Sequence, residues 1–281
     1  MGQKPAANEL TAELEPVVAD NLAVFLEHAD EWYAHDYVPF DQGENFAFLG
    51  GRDWDPSQVT LPGDVVDALE VLLVTKDNLA GYHRELVEHF ILEGKWGRWL
   101  GRWTAEENLH AIAIRDYLVV TRNFDPTANE EVRVAHVMRG YRADQYTQIE
   151  TLVFMAFYER AHAVFLRNLE ARLNDSKVDE PALKNLISRM ARDEERHEQF
   201  FAKLVAYCVK HHNDQTIGAI SRRAFDFDVV GGDILEYREN KLRTVAEAGI
   251  FDQEMARRVV SDRINDWGVA DSPMLVKYVL G

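Results

Sequence analysis

Four long stretches of the chain carry apolar residues at alternating spacings of three and four positions. This spacing keeps the side chains on one face of an α-helix, so the pattern predicts four amphipathic helices. Each apolar stripe is interrupted midway by ionisable residues that would point inward among Leu, Ile and Phe. The interruptions are Lys76 and His83 in the first stripe, Glu107 and His110 in the second, Glu159 and His162 in the third, and Glu194 and His197 in the fourth.

Ionisable groups at such positions need a partner, because burying each one unpaired costs several kcal/mol. A metal ion is a common partner of carboxylates and imidazoles inside helical bundles. A Glu-x-x-His motif alone predicts little, since the same spacing also gives an ordinary solvated pair. All three such motifs here begin inside apolar stripes, at Glu107, Glu159 and Glu194. This placement favours a buried metal site.

Turn signals between the stripes predict the helix boundaries. Pro62 and Pro181 each stand at the start of a stripe, where the missing N–H donor of proline is harmless. The four stripe helices are expected over 62–94, 95–122, 146–173 and 181–212. We also expect an opening helix over 9–30, an irregular segment over 32–60, and shorter helices over 129–140, 218–225, 232–248 and 253–267. The predicted fold is all-α, with a four-helix bundle core and additional flanking helices.

The composition fits one sizeable domain over residues 1–281, since 47% of the residues are hydrophobic. The net charge of −17 argues against general binding to nucleic acid or to an anionic membrane surface. Cys208 is the single cysteine, and we interpret it as a buried core residue in a reducing, cytoplasmic setting. Neither a signal-peptide pattern nor an apolar run of roughly 18 residues occurs, so no membrane span is expected.

The ionisable residues also follow a recognisable order. Di-iron carboxylate bundles take one Glu from each of two helices and a Glu-x-x-His pair from each of the other two. This chain has that order, with Lys76 in place of the first Glu. Four segments resemble the soluble acyl-carrier-protein (ACP) desaturases of plants and mycobacteria. WTAEENLH at 103–110 resembles the family's WTAEENRH, FYER at 157–160 resembles FQER, DEERHE at 193–198 resembles DEKRHE, and WYAHDYVP at 32–39 resembles WQPQDFLP.

The resemblance implies a ferritin-like fold and a site for two irons. In the family, the reduced irons activate dioxygen and remove hydrogens from an acyl chain held in an apolar tunnel, with electrons from a ferredoxin. Family members are homodimers. The metal ligands that the resemblance implies are Glu107 and Glu194 bridging the irons, His110 on one iron, and Glu159 with His197 on the other.

Two further residues receive roles from the same resemblance. Asp193 would orient His110 by accepting a hydrogen bond from its ring. Trp32 would belong to an electron route towards His110, or would simply pack in the core.

Lys76 is the main departure from the family pattern. A gapless alignment from Pro62 to Tyr82 puts it where the family has a ligand Glu, and the adjacent Asp77 points about 100° away on the helix. The three remaining Glu carry three negative charges, which one divalent metal and one ammonium group balance. We therefore predict a single divalent metal, Fe or Mn, with Lys76 in the position nearest His110. The alternative is that Lys76 extends to solvent along its flexible stem.

The second departure is His162, where the family has a Thr. It could hydrogen-bond Glu159, supply a further nitrogen ligand, or fill space, and we favour an indirect or packing role. An acidic ACP would need a local basic patch on this acidic chain, with the candidates Arg98, Arg102, Arg139 and Arg142.

Two functions remain open at this point. One is an ACP-linked desaturase in fatty-acid or cell-envelope lipid synthesis. The other is a family member that has lost redox chemistry and acts as a binding or regulatory partner. Other di-iron classes fit less well, because a ribonucleotide reductase small subunit would have a radical Tyr at the position of Ile114 and ferritin-like storage proteins are much shorter.

Overall fold

The computed structural model describes residues 7–141, 146–175 and 179–275, and within these ranges it contains helices and turns but no strand. This confirms the predicted all-α fold. The helices are α1 (Ala7–Glu27), α2 (Gly63–Asp77), α3 (Leu79–His89), α4 (Gly94–Thr121), α5 (Pro126–Arg139), α6 (Gln148–Asp175), α7 (Pro181–His211), α8 (Asn213–Asp226), α9 (Lys241–Glu247) and α10 (Gln253–Asp266). Among the described helices, none is long and apolar enough to cross a membrane.

A ferritin-like bundle of α2, α4, α6 and α7 forms the core. The longest contact runs along α6 and α7, while α2 packs on α4 and α6, and α4 packs on α7. Fully buried aliphatic side chains fill the space between these helices, as the stripes predict. Examples are Leu72, Ile114, Leu166 and Ile187. The flanking helices cover the outside, with α1 against α4 and α7, α8 against α6 and α7, and α9 against α2.

The first stripe departs from the prediction of one helix over 62–94, because it is divided at Asn78. There the backbone N–H of Asn78 bonds the carbonyl of Thr75 at 3.2 Å, a tighter turn than the α-helical pattern. The Thr75 hydroxyl also bonds back to the carbonyl of Val71 at 2.8 Å, an arrangement that bends helices. The break therefore lies two residues after Lys76.

Local chemistry explains most of the other helix ends. Asp125 caps α5 by accepting hydrogen bonds from the N–H groups of Thr127 and Ala128, and Pro126 occupies the first turn. The helix expected over 232–248 is shorter, because Gly231 and Gly232 form a turn and Asn240 caps α9. The helix expected over 218–225 is longer and begins at Asn213.

The segment over 32–60 is irregular, as expected, and includes four short 3₁₀ turns. Trp32 at its start is buried against the bundle. Cys208 is also buried, on α7, and forms no disulfide. The irregular segment thus contributes one large side chain to the core, close to the ionisable cluster.

Candidate metal centre

Six ionisable side chains meet at the middle of the bundle, each no more than 2% exposed. One comes from α2, two from α4, one from α6 and two from α7, so the inward faces predicted from the stripes do converge. They are Lys76, Glu107, His110, Glu159, Glu194 and His197.

Lys76 lies between two carboxylates. Its Nζ is 2.6 Å from Glu107 Oε2 and 2.6 Å from Glu194 Oε1. Burial alone would lower the pKa of Lys76, but attraction to the two carboxylates outweighs it and raises that pKa. Burial alone would raise the pKa values of Glu107 and Glu194. Both pKa values are instead lowered below 4.5, and attraction to the Lys76 ammonium is a main cause. The side chain is therefore a buried cation and does not extend to solvent.

Four groups beside Lys76 could hold a metal ion. Glu107, Glu159, Glu194 and His197 each offer a ligand atom, and these atoms lie within 4.8 Å of one another. Glu107 Oε1, Glu159 Oε2, Glu194 Oε2 and His197 Nδ1 are all buried without a hydrogen bond. Leaving four such atoms without hydrogen bonds in the core is costly, and a divalent cation would satisfy them together. The donor set fits one divalent metal.

The charge on Glu159 depends on the same surroundings. Burial, followed by repulsion from Glu107, raises the pKa of Glu159 to about 8. Burial opposes the charged form of His197, but its contacts with Glu106, Glu107 and Glu159 raise the pKa of the ring. A bound divalent ion would supply the positive charge that these carboxylates lack.

His110 has different surroundings from His197. Its Nδ1 is 3.0 Å from Glu194 Oε1, the oxygen that also contacts Lys76. Its Nε2 is 3.4 Å from Asp193 Oδ2, which accepts a 2.8 Å hydrogen bond from Trp32 Nε1. Trp32, Asp193 and His110 are thus connected by two polar contacts. The Lys76 ammonium already bonds Glu107 Oε2 and Glu194 Oε1, the carboxylate oxygens on the His110 side of the cluster.

Two further side chains hold the ligand groups, and the sequence analysis gave neither of them a role. Glu106 Oε2 lies 2.7 Å from His197 Nε2, and Trp103 Nε1 donates a 2.8 Å hydrogen bond to Glu159 Oε1. Because a carboxylate accepts, Glu106 holds a proton on His197 Nε2, so a neutral His197 ring would present the Nδ1 lone pair to an ion. The only sequence signal was that both residues lie within 103–110.

His162 forms its hydrogen bond with its own helix. Its Nδ1 donates to the backbone carbonyl of Tyr158 at 2.8 Å, and the two rings lie 4.1 Å apart. Burial, with the Lys76 charge as a further cause, lowers the pKa of His162 to about 4. The ring is therefore neutral near pH 7.

The candidate basic patch is partly neutralised within the chain. Arg102 pairs with Glu31 and Glu106, and Arg139 forms a bidentate pair with Glu236. Of the other two candidates, Arg98 lies on α4 and Arg142 lies outside the described residues.

The comparisons with known proteins all indicate desaturases. A family model described as fatty acid desaturase matches residues 6–277. DesA2 of Mycobacterium tuberculosis H37Rv, named as an acyl-ACP desaturase, is 64% identical over 281 residues and 100% of both chains. DesA1 of the same strain, named likewise, is 34% identical over 96% of this chain and 80% of its own. The X-ray structure of DesA2 matches with a TM-score of 0.82 and 56% sequence identity, over 97% of this chain and 100% of that one.

Proposed function

Because the chain belongs to the acyl-ACP desaturase family, we propose that it is an oxidoreductase that introduces a double bond into an acyl chain carried on ACP. The pathway would be fatty-acid or cell-envelope lipid synthesis. The observation that carries this proposal is the group of four buried ligand atoms without hydrogen bonds at the centre of the bundle. A core designed only for stability would not retain them.

The proposed cofactor is one divalent ion, Fe or Mn, held by Glu107, Glu159, Glu194 and His197. Carboxylate and imidazole ligands suit both metals. When bound there, iron would supply electrons and open coordination positions to dioxygen. Of the surrounding residues, Trp103 would fix the orientation of Glu159, and Glu106 would hold the His197 tautomer that exposes Nδ1.

The proposed partners follow from the family. An acyl-ACP would deliver the substrate, a ferredoxin-type protein would deliver electrons, and the protein would act as a homodimer. Electrons could reach the site through Trp32 and Asp193, which form a hydrogen-bonded connection from the irregular segment to His110.

One observation favours a second function. The Lys76 ammonium satisfies oxygens of both Glu107 and Glu194, so the bundle has a stable partner where a metal would otherwise be needed. A protein with this arrangement could bind acyl-ACP, or an active desaturase, without turning over.

A desaturation assay separates the two functions. Purified protein would be loaded with Fe²⁺ and supplied with a ferredoxin reductase system, dioxygen and a panel of saturated acyl-ACPs, and products would be analysed by mass spectrometry. The proposed enzyme yields chains lacking two hydrogens, and the ligand variant Glu159→Gln does not. Binding of acyl-ACP without product in the wild type, together with product formation by Lys76→Glu, would support the non-redox partner instead.

A further inference from the structure

A cavity of about 290 Å³ opens beside the metal centre, between α2, α6, α8 and the turn at Gly231. Its outer part includes Asp228 and Arg238, whose side chains are about half exposed, so the cavity reaches the surface. Its inner end is buried and includes Thr75 and His162. A protein cavity of about 150 Å³ holds one benzene molecule. By the same ratio of volume to atoms, this cavity suits a ligand portion of about twelve non-hydrogen atoms.

Aromatic rings line much of this space. Tyr82 and Tyr158 lie 4.9 Å apart between ring centroids, and Phe154 lies 5.8 Å from Tyr158 and 6.4 Å from Phe227. Such walls suit a hydrocarbon chain or another apolar ligand body. Specificity must then come from the polar groups of the lining, and the buried end offers Thr75 and His162.

His162 supplies a polar atom of defined character. Its Nδ1 donates to the backbone carbonyl of Tyr158, and a carbonyl can only accept, so the proton is on Nδ1. In the neutral ring Nε2 is then an acceptor with a free lone pair. This nitrogen lies on the ring edge opposite Nδ1, is buried, and has no hydrogen-bond partner. The residue is 1% exposed and lines the cavity.

The neighbouring hydroxyl at the buried end cannot satisfy this acceptor. Thr75 already donates its hydroxyl hydrogen to the carbonyl of Val71. An unsatisfied buried acceptor is costly, so an occupant with an O–H donor would be favoured over one without. A keto oxygen at the same place would face the nitrogen lone pair and would be disfavoured.

We propose that this cavity binds an acyl chain that carries a hydroxyl group, which donates a hydrogen bond to His162 Nε2. The proposal rests on the proposed function, whose substrate class it narrows from acyl chains in general to hydroxylated ones. The hydroxyl would lie one helical turn beyond Glu159, because His162 follows that residue by three positions on α6. Lys76 is also near, with its Nζ 5.7 Å from the centre of the Tyr158 ring.

The test is a binding measurement that needs no turnover, so its failure is distinguishable from failure of desaturation. Calorimetry would compare decanoyl pantetheine with its hydroxy derivatives, one for each chain position, and with the matching keto compounds. We expect at least one hydroxy isomer to bind about tenfold more tightly than the saturated compound, and its keto analogue to bind more weakly than either. Equal affinity throughout the series would overturn the proposal.

Variants of His162 test whether this residue causes the preference for the hydroxy isomer. His162→Phe keeps a ring in the same space and removes the acceptor, so the preference for the hydroxy isomer should disappear. Should that ring not be accommodated, His162→Leu repeats the test. Tyr82→Phe is the matched control, because it removes a hydroxyl from the same cavity and should leave the preference in place. Loss of the preference in Tyr82→Phe, or its survival in His162→Phe, would contradict the assignment.

A parallel series with free hydroxydecanoic acids identifies the source of the chain. Preference among the pantetheine thioesters supports a carrier-bound substrate. Preference confined to the free acids would overturn the substrate assignment, because it would describe a site for a free hydroxylated lipid.

Discussion

The two halves of the ionisable cluster are built from similar parts and differ at one position. α4 and α7 each supply a Glu-x-x-His pair, and Glu107 and Glu194 lie between the halves. In one half α6 adds the carboxylate of Glu159 beside His197. In the other half α2 adds the ammonium of Lys76 beside His110.

The difference shows how a single charge determines what a buried site can hold. On the Glu159 side, oxygen and nitrogen atoms converge without hydrogen bonds. On the Lys76 side, the same two bridging carboxylates are satisfied by hydrogen bonds of 2.6 Å. Three carboxylates with one ammonium are balanced by one divalent ion, and a second ion would leave excess positive charge in a medium of low dielectric.

The largest effect is expected from removing the ammonium. Lys76→Met leaves Glu107 and Glu194 buried without their partner, so the metal-free protein should lose about 3–5 kcal/mol of unfolding free energy. Urea unfolding in the presence of a chelator measures this loss. Lys241→Met is the matched control, since Lys241 pairs with Asp67 and Glu70 but is 21% exposed. A loss no greater than that of the control would contradict the role given to Lys76.

The two histidines should differ in their effect on metal affinity. His197→Gln removes a proposed ligand, and we expect affinity for Mn²⁺ to fall by more than about 100-fold, beyond the range for residues that only support a ligand. His110→Gln should change it less than tenfold, since His110 is not one of the four proposed ligands and its Nδ1 contacts the Glu194 oxygen that bonds Lys76. Competition titration with a fluorescent chelator compares the two variants. Equal losses would mean that the metal lies between both halves.

The two tryptophans should also differ in their effect on metal affinity, by less than the two histidines. Trp103→Phe removes the hydrogen bond to Glu159 and should weaken Mn²⁺ binding about 10-fold to 100-fold. Trp32→Phe removes the hydrogen bond to Asp193 on the other half and should leave affinity nearly unchanged. Titration of both variants against wild type gives the comparison, and the reverse order would refute it.

A last comparison concerns the pH dependence of stability, which the Glu159 half should determine. The pKa of Glu159 is raised to about 8 in the folded chain. The stability that protonated Glu159 contributes is therefore fully present below the unfolded-state pKa of 4.5, and it is lost as the pH rises through about 8. In chelator, the melting temperature of wild type should fall over this range relative to Glu159→Gln, by about 2–4 °C for each kcal/mol. Parallel curves for the two proteins would contradict the raised pKa.

Much of the bundle could be predicted from periodicity, because a helix period alone determines which residues share a face. The inward positions of Glu107, Glu159 and Glu194 followed in this way, as did Lys76 among buried Leu residues. Proline gave the starts of the helices at Pro62 and Pro181 to within one position.

Contacts between helices could not be predicted in the same way. The bonds from Glu106 to His197 and from Trp103 to Glu159 depend on how one helix is rotated against another. The break at Asn78 depends on whether its N–H bonds the carbonyl three positions earlier, as it does, or the one four positions earlier, as in a continuous α-helix. The orientation of His162 was also undetermined, because the choice between a ligand and its own backbone carbonyl depends on a side-chain rotamer.

The most direct test of the account is metal stoichiometry after anaerobic Fe²⁺ loading of wild type and Lys76→Glu, measured by elemental analysis per folded chain. We expect one iron in wild type and two in the variant, because the new carboxylate replaces a cation with a ligand. Two irons in wild type would contradict the account, since Lys76 would then have to leave the position between Glu107 and Glu194.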